Sequence, residues 1–240
     1  MLQTLLDMLY PARCPICTEI IVPKNKMICD ACKEQLVYIS EPRCKRCSKP
    51  IEDEEREYCS DCDKKKFHYN KGYAVWLYND VMKNSIAAYK YRGKKEYSNF
   101  YIHEMLRLYR SKLLGLSIDA IVPVPIHRSK YLERGFNQAE LLAKGIGRDL
   151  NVPVYTKLLV RNKKTLPQKK LNNKERLKNL SDAFAIEEQV LNTGSIPIKK
   201  VLLVDDIYTT GSTVEACSSL LKAYGIDEIY FIVLCIGKGY

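Results

Sequence analysis

Residues Val201-Leu-Leu-Val-Asp-Asp-Ile-Tyr-Thr-Thr-Gly-Ser-Thr213 decide how this chain is read. The four apolar residues at 201–204 have the character of a strand buried on both faces of a parallel sheet. Asp205 and Asp206 follow at the strand's end, then a loop of Thr209, Thr210, Gly211 and Ser212, and an amphipathic helix opens at Thr213-Val-Glu-Ala. Each part suits one part of a phosphorylated sugar. Two carboxylates can accept hydrogen bonds from vicinal ribose hydroxyls. Loop amides and the hydroxyls of Thr209, Thr210, Ser212 and Thr213 can surround a phosphate at a helix N-terminus. Gly211 lets the backbone approach that phosphate closely.

Outward from this stretch, strand and helix patterns alternate from residue 71 onward. Strands are expected over 73–78, 118–124, 152–160, 200–204 and 228–234, and helices over 81–91, 97–114, 138–150 and 213–224. Residues 161–182 read as polar and irregular. Such alternation implies an α/β fold, a parallel sheet with helices on both faces. Ligands then bind at the carboxyl ends of the strands, where Asp205 and Asp206 stand.

The first 68 residues are of another kind. After an amphipathic helix over 1–10, they are rich in Pro, Cys and charge. Eight cysteines form four Cys-x-x-Cys pairs, Cys14/Cys17, Cys29/Cys32, Cys44/Cys47 and Cys59/Cys62, starting every 15 residues. A pair two residues apart presents both sulfurs to one ion, and two pairs complete a tetrahedral S₄ site suited to Zn²⁺. Two structural zincs are therefore expected. Evenly spaced ligands argue against an iron–sulfur cluster. Adjacent pairing closes the shortest loops; interleaved pairing remains open. So few apolar residues can form a core here that the metal would have to supply the folding energy. The organisation expected is a zinc-ribbon module over 1–68 and a second domain over 69–240, with a linker at 64–66. Cys217 and Cys235 lie in apolar surroundings and read as small buried hydrophobes.

Length and charge narrow the function. A chain of 240 residues suits a doubly wound domain plus a small module. No stretch is apolar enough to span a membrane, and residues 1–10 lack the basic start of a signal peptide, so a cytoplasmic protein is the default expectation. Residues 1–66 carry 12 basic and 12 acidic side chains, which leaves the whole formal +11 on residues 67–240. Residues 157–178 alone hold nine Lys/Arg against one acid, Glu175. The second domain is thus the expected partner of polyanions, single-stranded nucleic acid among them.

The 201–213 segment resembles the phosphoribosyl-pyrophosphate (PRPP) loop of type I phosphoribosyltransferases, with Thr-Thr-Gly-Ser where Thr-Gly-Gly-Thr is usual. Ile121-Val-Pro-Val-Pro-Ile-His-Arg128, Arg134-Gly-Phe-Asn-Gln138, Lys90-Tyr-Arg-Gly-Lys94, Thr165-Leu-Pro-Gln168 and Arg176-Leu-Lys-Asn179, behind cysteine knuckles, are similar to the ComF family of competence-associated proteins. The resemblance implies a type I phosphoribosyltransferase-like sheet and PRPP with Mg²⁺ as ligand. It implies a pyrophosphate loop at Val124, Pro125 and His127, with Arg134, Lys90 and Arg92 nearby. It further implies a closing loop with Lys163, Lys164, Gln168 and Arg176, and a role in DNA uptake during natural transformation beside a helicase or uptake machinery. Two alternatives stand beside an enzyme with an unidentified acceptor: a non-catalytic adaptor that senses PRPP or binds single-stranded DNA, and a nucleobase phosphoribosyltransferase of nucleotide salvage.

Overall fold

The structure, a computed structural model, describes residues 11–23, 25–162, 183–187 and 198–238. The expected helix over 1–10 and the loop residues Lys163, Lys164, Gln168 and Arg176 lie outside the described residues.

A four-stranded parallel sheet organises the chain, in the order β1 (Lys71–Leu77), β6 (Glu228–Ile236), β5 (Lys200–Tyr208), β2 (Ala120–Pro123). Strand β5, which carries the decisive motif, lies inside it, flanked by β6 and β2. Helices cover both faces: α3 (Asp80–Tyr91), α4 (Tyr97–Gly115) and α6 (Gln138–Leu150) belong to one layer, and α7 (Ser212–Ala223) to the other. Strand alternation sorts the core. Leu202 and Val204 join the layer of Trp76, Tyr101 and Leu142, whereas Val201 and Leu203 join that of Cys217, Leu221 and Phe231.

Two strand expectations need correction. The motif strand runs on through both aspartates to Tyr208 instead of ending at Val204, because β6 pairs with it as far as Ile236. The expected strand over 152–160 does not form: only Val154 bridges to Ile121. The chain turns after Tyr155, and β3 (Leu159–Arg161) pairs antiparallel with β4 (Phe184–Ile186), a pairing invisible to a reading of alternating elements. A short helix, α5 (Arg128–Arg134), follows β2; it buries no side chain, so no apolar stripe announces it.

The cysteine-rich segment adds two short helices, α1 (Asp30–Lys33) and α2 (Ser60–Lys64), so Lys64 closes a helix rather than opening the linker. Its apolar residues do not form a separate core. Ile21, Ile28 and Leu36 pack in the layer of Trp76, and Cys44 and Cys47 in the layer of Phe231. Its backbone also covers the open edge of β1: Ile39 N–H donates to Val75 O at 3.0 Å and Leu77 N–H to Val37 O at 2.8 Å. No described helix is long and apolar enough to cross a membrane.

Candidate functional site

Successive side chains of a strand point to opposite faces, so the two aspartates at the end of β5 meet different neighbours. Asp206 shares the face of Leu202 and Val204. There Lys90, from the last turn of α3, forms an ion pair with it, and Gln138 Nε2 donates to its Oδ1 at 3.5 Å. Asp205 faces the side of Cys217 and Arg161, and its Oδ1 accepts the Asp206 N–H at 2.8 Å. Both carboxylates are buried.

Their electrostatics diverge accordingly. Burial pushes the Asp205 carboxyl up, and the neighbouring Asp206 charge pushes it further, well above the usual carboxylate range. Burial works to raise Asp206 too, but the Lys90 ammonium outweighs it and, with the Asp205 contact and the Gln138 amide, holds Asp206 low. Lys90 in turn is raised by Asp206 against the burial that would lower it.

The local sequence explains how each group is held. Asn137 caps α6, its Oδ1 accepting the Ala139 N–H at 3.0 Å while its Nδ2 donates to Val124 O at 3.1 Å; one side chain thereby ties the β2 loop to the helix that presents Gln138. His127 caps α5, its Nδ1 accepting the Ser129 N–H at 3.1 Å. At the end of α5, Arg134 donates to Gln138 Oε1 at 2.8 Å and to the Tyr91 hydroxyl at 3.0 Å, and lies 4.8 Å above the Tyr91 ring. Beyond β5, Gly211 takes the left-handed conformation, φ 77°, and opens α7. The Thr210 and Ser212 hydroxyls lie 2.9 Å apart in that loop.

These groups surround a cleft of ≈ 330 Å³ at the carboxyl end of the sheet, lined by Lys90, Val124, Pro125, His127, Arg134, Asp205, Asp206 and Thr213. Most expected site residues are thus brought together. Thr209, Thr210, Gly211 and Ser212 form the adjoining loop, around a hollow of ≈ 30 Å³. Arg92 is not brought in: it ends α3, exposed, and does not line the cleft. Sequence reasoning missed Ser129, Lys130, Gln138 and Arg161, which also line it. Gln138 stood inside a quoted motif as its last letter, and Arg161 within the basic run counted above. Burial lowers the Arg161 guanidinium. A larger cleft of ≈ 540 Å³ beside Lys71 and Lys112 sits at the amino end of β1, away from the strand-end loops; its Arg43 and Lys45 are paired with Glu41 and Glu57.

The cysteines resolve into two groups, Cys14/Cys17/Cys29/Cys32 and Cys44/Cys47/Cys59/Cys62, so the pairing is adjacent. Within each, all Sγ atoms lie within 4.8 Å of one another. Cys17 and Cys29 sulfurs are 3.8 Å apart and those of Cys47 and Cys59 3.6 Å. A tetrahedral Zn²⁺ with bonds near 2.3 Å spaces its sulfurs about 3.8 Å apart, so both groups fit the ion. The second group is wholly buried, whereas Cys17 is exposed and Cys29 half-buried.

Residues 5–63 match the double zinc ribbon domain and residues 130–239 the phosphoribosyl transferase domain. Competence protein ComFC of Streptococcus pneumoniae is 30% identical over 214 residues, covering 85% of this chain and 86% of that protein. Competence protein F of Haemophilus influenzae is 29% identical over 229 residues, covering 90% and 93%. DNA utilization protein YhgH of Escherichia coli K12 is 26% identical over 228 residues, covering 94% and 97%.

Proposed function

From a chain that belongs to the ComF family, with a double zinc ribbon before a phosphoribosyltransferase domain, we propose a PRPP-binding protein that acts in the uptake or use of DNA. The observation that carries this is the pair Asp205 and Asp206 at the carboxyl end of an inner parallel strand, running directly into the hydroxyl-rich loop that opens α7. The two carboxylates accept the ribose hydroxyls. Lys90 keeps Asp206 ionised for that task. The amides and hydroxyls of Thr209, Thr210, Gly211, Ser212 and Thr213 take the 5′-phosphate at the N-terminus of a 12-residue helix. The loop Val124–His127 faces the same cleft with Arg134 and Arg161, which supply donors and positive charge for the pyrophosphate.

If PRPP is turned over, pyrophosphate leaves the anomeric carbon through a transition state of oxocarbenium character, and the acceptor attacks from the opposite face. Mg²⁺ bound with PRPP would neutralise charge on the leaving group. Lys164 and Arg176, read from sequence, are further candidates for that charge. Measuring Mg²⁺-dependent pyrophosphate release, with nucleobases and single-stranded DNA offered as acceptors, separates transfer from binding alone. Calorimetry tests the binding itself. Charged hydrogen bonds contribute roughly 1.5–3 kcal/mol each, so the double variant Asp205→Ala, Asp206→Ala should bind PRPP more than tenfold more weakly. Unchanged affinity would end the assignment.

A second reading, single-stranded DNA binding by the domain beyond the ribbons, rests on the +11 confined to residues 67–240.

A further inference from the structure

The phosphate loop is supported from below by the second zinc ribbon, by three separate contacts. The first is at the loop's entry. Tyr208, the last residue of β5, is 2% exposed, and its ring stacks on Phe231 with centroids 5.0 Å apart and planes 2° from parallel. Its hydroxyl lies 2.7 Å from the hydroxyl of Tyr69, itself 2% exposed and packed in one cluster with Cys44, Cys47, Cys59 and Cys62. A Cβ placed on Gly211 would stand 2.3 Å from the Tyr208 hydroxyl, so the bend of the loop rests on this phenol pair.

The second contact comes from inside the knuckle. Lys49, 3% exposed, holds its ammonium 5.9 Å from the centre of the Tyr208 ring and bonds Asp61 Oδ2 at 2.8 Å, next in sequence to the ligand Cys62. The third is at the loop's exit. His68 donates its backbone N–H to Glu215 Oε2 at 2.9 Å, and its Nδ1 lies 2.6 Å from Glu215 Oε1; Glu215 N–H in turn donates to Gly211 O at 2.8 Å in the first turn of α7. Entry and exit of the loop are therefore both held by residues that leave or line the second ribbon. The first ribbon packs elsewhere: Cys14 and Cys32 lie in the opposite layer, and Pro15 O accepts the Ser85 hydroxyl at 2.6 Å.

We propose that the second ribbon is energetically coupled to the phosphate loop, with Tyr69 and Tyr208 as positioning residues, so that PRPP binding and zinc retention at Cys44/Cys47/Cys59/Cys62 reinforce each other. This rests on the PRPP reading above. The physical basis is direct. A ribbon of this size keeps its shape through its metal. Without that shape, Tyr69, Lys49 and His68 lose the frame that holds them against Tyr208 and Glu215. Coupling between two binding events is reciprocal, so the effect must also run from PRPP to zinc. The first site, lying in the other layer, should not share it.

The experiment uses the intact zinc-loaded chain. Zinc is drawn off with excess chelator while iodoacetamide alkylates cysteines as they are freed, and peptide mapping assigns each modified cysteine to its site. Saturating Mg²⁺–PRPP should slow alkylation of Cys44, Cys47, Cys59 and Cys62 by about five- to tenfold, within the usual range of allosteric coupling, and leave Cys14, Cys17, Cys29 and Cys32 unchanged. Tyr69→Phe, which keeps the ring and removes the hydroxyl, should weaken PRPP binding several-fold and abolish the protection. Its zinc loss without PRPP should match wild type, which a merely destabilising substitution would not achieve. Tyr208→Phe added to it should cost little more, since both remove one bond. If calorimetry shows PRPP bound but the second-site cysteines alkylate at an unchanged rate, the coupling is overturned and the PRPP reading stands. If wild-type protein does not bind PRPP at all, both fall together.

Discussion

Lys90 and Asp206 form a buried ion pair across the cleft, with 16% and 5% of their side chains exposed, while Asp205, the next residue in sequence, has no such ion pair among the described residues. Identical residues at adjacent positions therefore titrate in opposite directions.

Opposite stability effects are expected on neutralising them. Asp205 is raised, so the fold favours its protonated form. That contribution is complete below the unfolded value of about 4 and is lost as pH rises through the folded value. Asp205→Asn should raise Tm at pH 8 and change it little near pH 4. Asp206 is held low, so its contribution is present above about 4 and lost as pH falls through the folded value. Asp206→Asn leaves Lys90 without its counter-charge and should lower stability at pH 8 by about 3 kcal/mol. Thermal melts of both variants at the two pH values check the signs; equal shifts would refute the assignment.

Gly211 combines a left-handed backbone with contact against Tyr208. Gly211→Ala should cost about 1–2 kcal/mol from conformation alone. The added methyl also displaces the loop, so PRPP affinity should fall more steeply than Tm. Calorimetry and denaturant unfolding of the same preparation separate the two effects, and full affinity would show that the loop's bend is unimportant to the ligand.

Elemental analysis of protein purified without chelator should read two zincs per chain, one for each group of four cysteines; a single zinc, or iron, would overturn the count. Cys17→Ser alters an exposed ligand and Cys47→Ser a fully buried one. Each should lose metal from its own site, and the second should lower Tm more, because its site lies under the sheet together with Tyr69 and Phe231.

Single-stranded DNA should bind with a steep salt dependence and compete with PRPP, since the basic run 157–178 is expected to serve both. That run contains no aromatic residue, so sequence preference should be slight. Fluorescence anisotropy of labelled DNA, with and without Mg²⁺–PRPP, reads the competition. A variant with Lys163, Lys164, Lys169 and Lys170 all changed to Ala should bind several-fold more weakly and with a shallower salt slope. Wild-type affinity in that variant would move the site to the basic residues between 83 and 134.

Sequence by itself determined the parts whose chemistry is local. Four Cys-x-x-Cys turns need no distant partner to announce a tetrahedral metal site, and four apolar residues, two acids and a hydroxyl-rich turn spell a strand, a loop and a helix within 13 consecutive positions. Tertiary structure alone decided what depends on which face of a strand meets which helix. Alternation along β5 sends Asp206 to Lys90 and Gln138, and Asp205 to the side of Arg161, and no spacing in the sequence relates those residues. The adjacent pairing of the cysteines was likewise undecided until their sulfurs were placed. So were the contacts that tie the two ends of the Thr209–Ser212 loop to the neighbourhood of the second ribbon. Tyr69 and Tyr208 stand 139 positions apart in sequence, and only the packing of Phe231 between β1 and β5 brings their hydroxyls within 2.7 Å.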